Sequence, residues 1–343
     1  MTKAPIARRT LIQSAGLMSA GLGAGFLPAA TPARADGAPA APGTFWSRDY
    51  WAQKGAVKLA LYRKRLGEPK PGEPPLPLLF LVHGSSLSAK SSYDLQVANA
   101  QYSLMDVFAG YGFDVWTMDH EGYGRSTQSA GNSDIASGVA DLQAAMPVVQ
   151  QETGQSRCHV FGESSGAIRA GAFAQAAPDR VARLILAAFT YKGEGAAEIQ
   201  RRRDNLAQLQ AAPRRKRDAA MIRSIFSRDG HPSIYDPAMV EALVAAEMPF
   251  GDTIPAGTYI DMAANLPLVD PTKVQCPVLL TRGQWDGNST DVDLLDFFRQ
   301  LPNGDRQYVI LPNTAHSQGF SKNRELMWYA IKNFLQEPAP AAS

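Results

Sequence analysis

The chain of 343 residues has only 2 cysteines, 5 histidines and 5 tryptophans, and its formal net charge is +2. Two cysteines exclude a disulfide scaffold and any zinc site built on four thiolates. So small a net charge gives no electrostatic case for nucleic acid as a partner. No internal repeat is present, which sets aside solenoids and propellers. No motif calls for a metal or a nucleotide, so no cofactor is expected. What remains is a globular composition: 45% hydrophobic, 19% charged and 9% aromatic. A disordered or collagen-like chain would have far fewer apolar residues.

The positive charge is unevenly placed. Residues 1–35 hold Lys3, Arg8, Arg9 and Arg34 and no acidic residue, which leaves 30 basic against 32 acidic beyond them. Arg8-Arg9 stand before an uncharged stretch from Leu11 to Leu27 that Gly, Ser and Ala dilute. Ala33-Arg34-Ala35 then places small residues where a signal peptidase cuts. The arrangement resembles a twin-arginine signal, which exports folded proteins. The competing reading is an N-terminal anchor, because the stretch is near the minimum length to span a bilayer. The expectation is a cleaved signal over 1–35, a flexible spacer over 36–43, a periplasmic or secreted mature protein, and no stable membrane insertion after cleavage.

Beyond the spacer, short apolar runs alternate with segments of helical spacing. Strands are expected at Phe45–Trp51, Val57–Arg63, Leu76–Val82, Phe113–Met118, Cys158–Phe161, Arg183–Phe189, Val278–Thr281 and Gln307–Leu311. Helices are expected at Leu95–Ala109, from Asp134 to about Gln151, at Ser164–Ala177, Asp291–Gln300 and Asn323–Gln336. That alternation predicts an α/β protein with a mostly parallel sheet covered on both faces. Residues 192–272 break the rhythm: they contain no strong strand and are too long for a loop, so they suit a helical cap. The core is then 44–191 with 273–337, and 338–343 form a flexible tail.

The chemistry centres on Gly162-Glu163-Ser164-Ser165-Gly166. This Gly-x-Ser-x-Gly pentapeptide directly follows an apolar strand and precedes a helix, the placement a nucleophile elbow requires. A serine hydroxyl needs a base to become a nucleophile. Of the histidines, His316 lies just beyond the last strand, after the serine in chain order. His83 and His159 read as structural, His231 falls in a Gly-His-Pro turn, and His120 is the harder rival because it follows a strand end. The acid that orients the base is expected at Asp286, just past a strand and before His316. Its rivals are Glu194, and Asp291 and Asp293, which read as caps of the following helix. The oxyanion of an acyl transfer needs two backbone N–H donors. Ser165, after the nucleophile, and Ser85, in the loop after the Leu79–Val82 strand, are the candidates.

From Phe45 to Gln336 the chain resembles an α/β-hydrolase. The residues that carry the likeness are His83-Gly84, the Asp119…Gly122-x-Gly124-x-Ser126 turn, the Gly162–Gly166 elbow, Asp286 and His316. The resemblance implies an eight-stranded sheet with a cap between its sixth and seventh strands. It implies no particular substrate. A serine at the elbow departs from haloalkane dehalogenases and epoxide hydrolases, which use aspartate. His120-Glu121 departs from the arginine or proline of many relatives. Glu121 then either repels anionic substrates, pairs with a cap arginine, or sits in a solvated turn.

Residues 201–228 contain nine basic and two acidic residues. They form either a basic rim for anionic substrates or a solvated helix face. Met239, Met248, Phe250, Tyr259 and Met262 line a pocket or fill the cap core. Cys158 and Cys276 precede different strands and are expected as free, buried thiols. The expected activity is hydrolysis of a small carboxylic ester with an apolar part. Alternatives are lactone or C–C bond hydrolysis on the same triad, or a non-catalytic binding protein. The signal has its own test. Changing Arg8 and Arg9 together to lysine is expected to leave full-length protein in the cytoplasm, measured by fractionation and N-terminal sequencing; continued export would refute twin-arginine targeting.

Overall fold

The structure, a computed structural model, describes residues 43–227 and 233–336. The signal, most of the spacer, His231 and the tail lie outside the described residues. Eight strands form one sheet: β1 (Phe45–Lys54), β2 (Val57–Leu66), β3 (Leu78–Val82), β4 (Asp114–Met118), β5 (Cys158–Glu163), β6 (Val181–Ala187), β7 (Val278–Gly283) and β8 (Arg306–Leu311). Their spatial order is β1-β2-β4-β3-β5-β6-β7-β8. The β1–β2 and β2–β4 pairings are antiparallel and the remaining ones are parallel. This is the expected α/β fold, an open sheet.

The alternation of side chains along a strand explains the two-layered core. In β3, Leu78, Phe80 and Val82 face one apolar cluster, and Leu79 and Leu81 face the other. The first cluster is completed by helices α2 (Ile135–Thr153) and α3 (Ser165–Ala176), through Leu142, Met146, Ile168 and Phe173. The second takes Phe108 from α1 (Leu104–Gly110) and Met327, Ile331 and Phe334 from the C-terminal helix, Arg324–Gln336. A central strand with no polar residue is therefore a consequence of burial on both faces.

Two expectations need correction. The helix expected over Leu95–Ala109 begins only at Leu104. Residues Gln96–Val97 and Ala100–Gln101 form a small hairpin turned at Asn99, whose φ is +59°. Ser103 then accepts a hydrogen bond from the Asp106 amide, a cap that fixes the helix start. The helix Asp291–Gln300 is capped by Thr290, not by Asp291 or Asp293. Asp293 instead accepts the amides of Tyr191, Lys192 and Gly193, which holds the exit of β6.

Between β6 and β7 the described residues form five further α-helices: α4 (Ala197–Asp204), a short one at Leu206–Gln210, α5 (Ala219–Ile225), α6 (Pro237–Glu247) and α7 (Gly257–Ala264). A two-stranded ribbon missed by the sequence reading joins Arg214–Lys216 to Thr253–Pro255. Met239 and Met262 are buried among apolar neighbours and fill the core. Cys158 and Cys276 are free and buried.

The tightest packing is where β5 meets α3. A Cβ on Gly162 would collide with the Gly166 carbonyl, and one on Gly166 with the Val82 carbonyl, both rigid backbone. Gly166→Ala is therefore expected to destabilise the protein by roughly 3–5 kcal/mol. Gly110→Ala, with nothing within 4 Å of the added carbon, is expected to be neutral or slightly stabilising. Urea unfolding of the two variants compares them directly.

Candidate active site

Ser164 sits between β5 and α3 with φ +60° and ψ −128°, a region that non-glycine residues occupy at a cost. Its amide donates to the Ala187 carbonyl at 2.9 Å, and its carbonyl accepts from Ala167 at 2.9 Å. The first bond ties the turn to β6, and the second starts the helix. The side chain is thereby lifted out of the strand's alternation.

His316 lies in the loop after β8. Its Nε2 is 2.8 Å from Ser164 Oγ, and its Nδ1 is 2.9 Å from Asp286 Oδ1. The loops that carry His316 and Asp286 are locked together. The Gln284 amide donates to Leu311 O and the Trp285 amide to Thr314 O, each at 3.0 Å. Burial alone would raise the Asp286 carboxyl; His316 and the Asn288 amide (2.8 Å) outweigh it and hold the group below the usual carboxylate range. Asp286 is thus an anion placed to fix the imidazole tautomer. The rivals lie elsewhere: Asp291 accepts from Tyr308 OH at 2.6 Å, Asp293 holds the β6 exit, and Glu194 offers its carbonyl to Thr290.

The structure also brings Ser85 to Ser165: their hydroxyls are 2.6 Å apart. Ser165 is the first residue of α3, so its amide has no acceptor within the helix. The Ser85 carbonyl accepts from Tyr123 OH at 2.8 Å, and its hydroxyl accepts from Thr258 at 2.9 Å. His83 and His120 support this loop from below. The His120 amide donates to His83 Nε2 at 3.0 Å, and His120 Nδ1 is 3.0 Å from Asp141. Burial pushes the His120 imidazole down to about 4 and lowers that of His83 well below its ordinary value. Both are buried structural groups. Glu121 pairs with Lys54 at 2.7 Å, so it neither meets a cap arginine nor faces the site.

A cavity of about 140 Å³ opens over Ser164 and His316. Leu87, Met221, Ile225 and Phe320 give it apolar wall; Arg202, Arg215 and Tyr259 give it a polar one. The sequence reading named Tyr259 but missed the two arginines individually, which stood inside a basic run. It also passed over Glu163, the variable residue of the elbow. Burial raises that carboxyl, against the pull of His316 and of the Gly319 and Gln318 amides, the latter donating to Oε1 at 2.8 Å. Gln318 in turn bonds Thr281 on β7, so Glu163 helps set the His316 loop. Among the described residues, no group of three or more His, Cys, Asp and Glu side chains is placed to hold a metal ion.

An eight-stranded sheet of this order, with a helical insertion after its sixth strand, defines an α/β-hydrolase. The chain belongs to the family described as serine aminopeptidase, S33, whose model matches residues 95–320. Solved structures similar in fold include an esterase from Thermogutta terrifontis with malate bound (20% identity, 84% of this chain and 98% of that one, TM-score 0.59). Another is an enol-lactonase from Burkholderia xenovorans LB400 (14% identity, 84% and 100%, TM-score 0.60). A third is 2-hydroxy-6-oxo-6-phenylhexa-2,4-dienoate hydrolase from Rhodococcus sp. strain RHA1 (17% identity, 86% and 100%, TM-score 0.61). No curated protein sequence matches the chain.

The assignment of Asp286 is open to a test that needs no substrate. Asp286→Asn is expected to slow phosphonylation of Ser164 by a fluorophosphonate by roughly 10³–10⁴. Asp291→Asn and Glu194→Gln are expected to stay within a fewfold of the parent in the same labelling assay.

Proposed function

We propose that the protein hydrolyses carboxylic esters through an acyl-enzyme on Ser164. The carrying observation is the unbroken hydrogen-bonded line from Asp286 through His316 to Ser164, with steps of 2.9 and 2.8 Å. His316 takes the serine proton as Oγ attacks the carbonyl carbon, then returns it to the leaving alcohol. Water, activated by the same imidazole, releases the acid. The Ser165 and Ser85 amides stabilise the oxyanion, Ser165 from the positive end of α3. The apolar wall of the cavity receives a nonpolar part of a small-molecule ester.

Peptide cleavage from a free amino terminus fits the walls less well. An aminopeptidase must hold a terminal ammonium ion, and the cavity presents Arg202 and Arg215. Its two carboxylates are committed, Glu198 to Arg201 and Glu163 to backbone amides. In this reading the residue 1–35 signal sends the enzyme to the periplasm or outside the cell, where it acts without a cofactor.

A panel of nitrophenyl esters of rising acyl length tests the activity. Ser164→Ala is expected to lower kcat by roughly 10⁶ with the fold retained by circular dichroism, because the triad acts as a unit. Turnover of lactones or of C–C bonds in dienoates with no ester turnover would overturn the ester reading.

A further inference from the structure

Adjoining the cavity over Ser164 is a second one, of about 550 Å³. The two share Glu198, Arg202, Arg215 and Tyr259, so the wall of one is the wall of the other. The charged lining of the second cavity is Arg201, Arg202, Arg214, Arg215 and Lys216 against the single carboxylate of Glu198. Arg201 pairs with that carboxylate, and Lys216 pairs with Asp218 at 2.8 Å. Arg214 is spent on neutral acceptors, Thr253 and the Gly122 carbonyl. Arg202 donates to Asn288 Oδ1 at 3.0 Å. Arg215 has no carboxylate partner among the described residues. Its guanidinium carbon lies over the Tyr259 ring, 4.2 Å from the ring centre. Tyr259 is itself fixed by a 2.6 Å hydrogen bond between its hydroxyl and Ser86, next to the Ser85 loop.

A half-buried guanidinium held over the face of an aromatic ring keeps N–H groups for a ligand. A cavity with such an excess of positive charge is repulsive to cations and favourable to an oxyanion. We propose that the second cavity is an anion subsite: it binds a carboxylate or phosphate group carried by the substrate, while the ester sits at Ser164 and the apolar portion meets Met221, Ile225 and Phe320. The proposal deepens the ester-hydrolase reading and rests on it for the identity of the scissile bond. Arg215 is the specificity-determining residue, with Arg202 and Arg214 completing the field. The nine-to-two basic excess of 201–228 is then a substrate-facing feature in part, and not only a solvated helix face.

Matched esters test it. Nitrophenyl esters of straight-chain acids ending in methyl, carboxylate or phosphate are compared, with a parallel set of acetates of alcohols ending in the same three groups. In at least one set the anionic ester is expected to exceed its neutral partner in kcat/KM by roughly tenfold or more, the worth of one charged hydrogen bond. The ratio is expected to fall as salt is raised. Arg215→Gln is expected to bring it close to one, and Arg215→Lys to restore part of it by charge without the planar fork. The carboxylate and phosphate arms tell which oxyanion is preferred. Neutral esters turned over as well as anionic ones, or a ratio indifferent to Arg215→Gln in a folded variant, would overturn the subsite and leave the ester reading intact. If no ester is cleaved, the ester reading falls, and calorimetry with glutarate and with inorganic phosphate decides the subsite alone. Binding lost in Arg215→Gln supports it, and absence of heat with the parent protein refutes it.

Discussion

The site depends on one close approach, that of β5 to α3 across Gly162 and Gly166. With no side chain at either position, the strand can reverse into a helix within one residue, and Ser164 takes the strained conformation at the apex. Strain of this kind costs about 1–3 kcal/mol and persists only where the surroundings over-determine it. Here they do: the Ser164 amide is bonded to β6, its carbonyl starts α3, and the carbonyls of β3 press on Gly166. The loops bearing Asp286 and His316 leave the same ends of the neighbouring parallel strands β7 and β8. Parallel strands thus gather residues distant in sequence at one edge of the sheet.

Much of this was legible because it was written in short-range terms. A strand buried on both faces shows as an unbroken apolar run, as β3 does, and the eight strands were found with their ends misplaced by only a few residues. The order Ser164, Asp286, His316 was readable because each follows a strand. Where readings failed, a local turn or cap, or a tertiary partner, decided. Helical spacing from Leu95 onward was real as a pattern, but Asn99 turned the chain and Ser103 capped a later start. Asp293 looked like a helix cap and was claimed by three amides of a distant loop. Glu121 was free to face substrate on paper and was taken by Lys54, whose place on β1 no local rule predicts. The cap ribbon is three residues per strand and too short for a periodic signal.

The histidines show how burial sorts one residue type into two roles. His83, His120 and His159 are all pushed below the ordinary imidazole value by desolvation, the last two to about 4. At neutral pH they are uncharged; His83 accepts the His120 amide at Nε2 and donates from Nδ1 to the Gly84 carbonyl at 2.8 Å. His120 is bonded to Asp141, whose carboxyl burial would raise but which His120 and Lys54 draw down to about 2. The loop that carries Ser85 therefore rests on neutral rings backed by a fixed anion, and its amides stand in a field that substrate binding need not rearrange.

The roof is fixed by the same economy of buried charge. Glu247 on α6 is fully buried and accepts the Ser88 amide at 2.6 Å, the Ser88 hydroxyl at 2.8 Å and the Ser91 hydroxyl, all just beyond the Ser85 loop. Its other oxygen meets buried Arg217, which also donates to the Glu247 and Gly251 carbonyls. Removing either partner would strand the other as an uncompensated charge, a loss of roughly 3–5 kcal/mol. Arg217 stands two residues from Arg215, at the end of the ribbon strand that carries Arg214 and Lys216. Glu247 thus fastens the cap to the core through Ser88 and Ser91, and its ion pair with Arg217, inside the cap, sets the position of the arginine shared by the two cavities. In the proposed subsite, stability and recognition are thereby coupled through three consecutive residues, Arg215, Lys216 and Arg217.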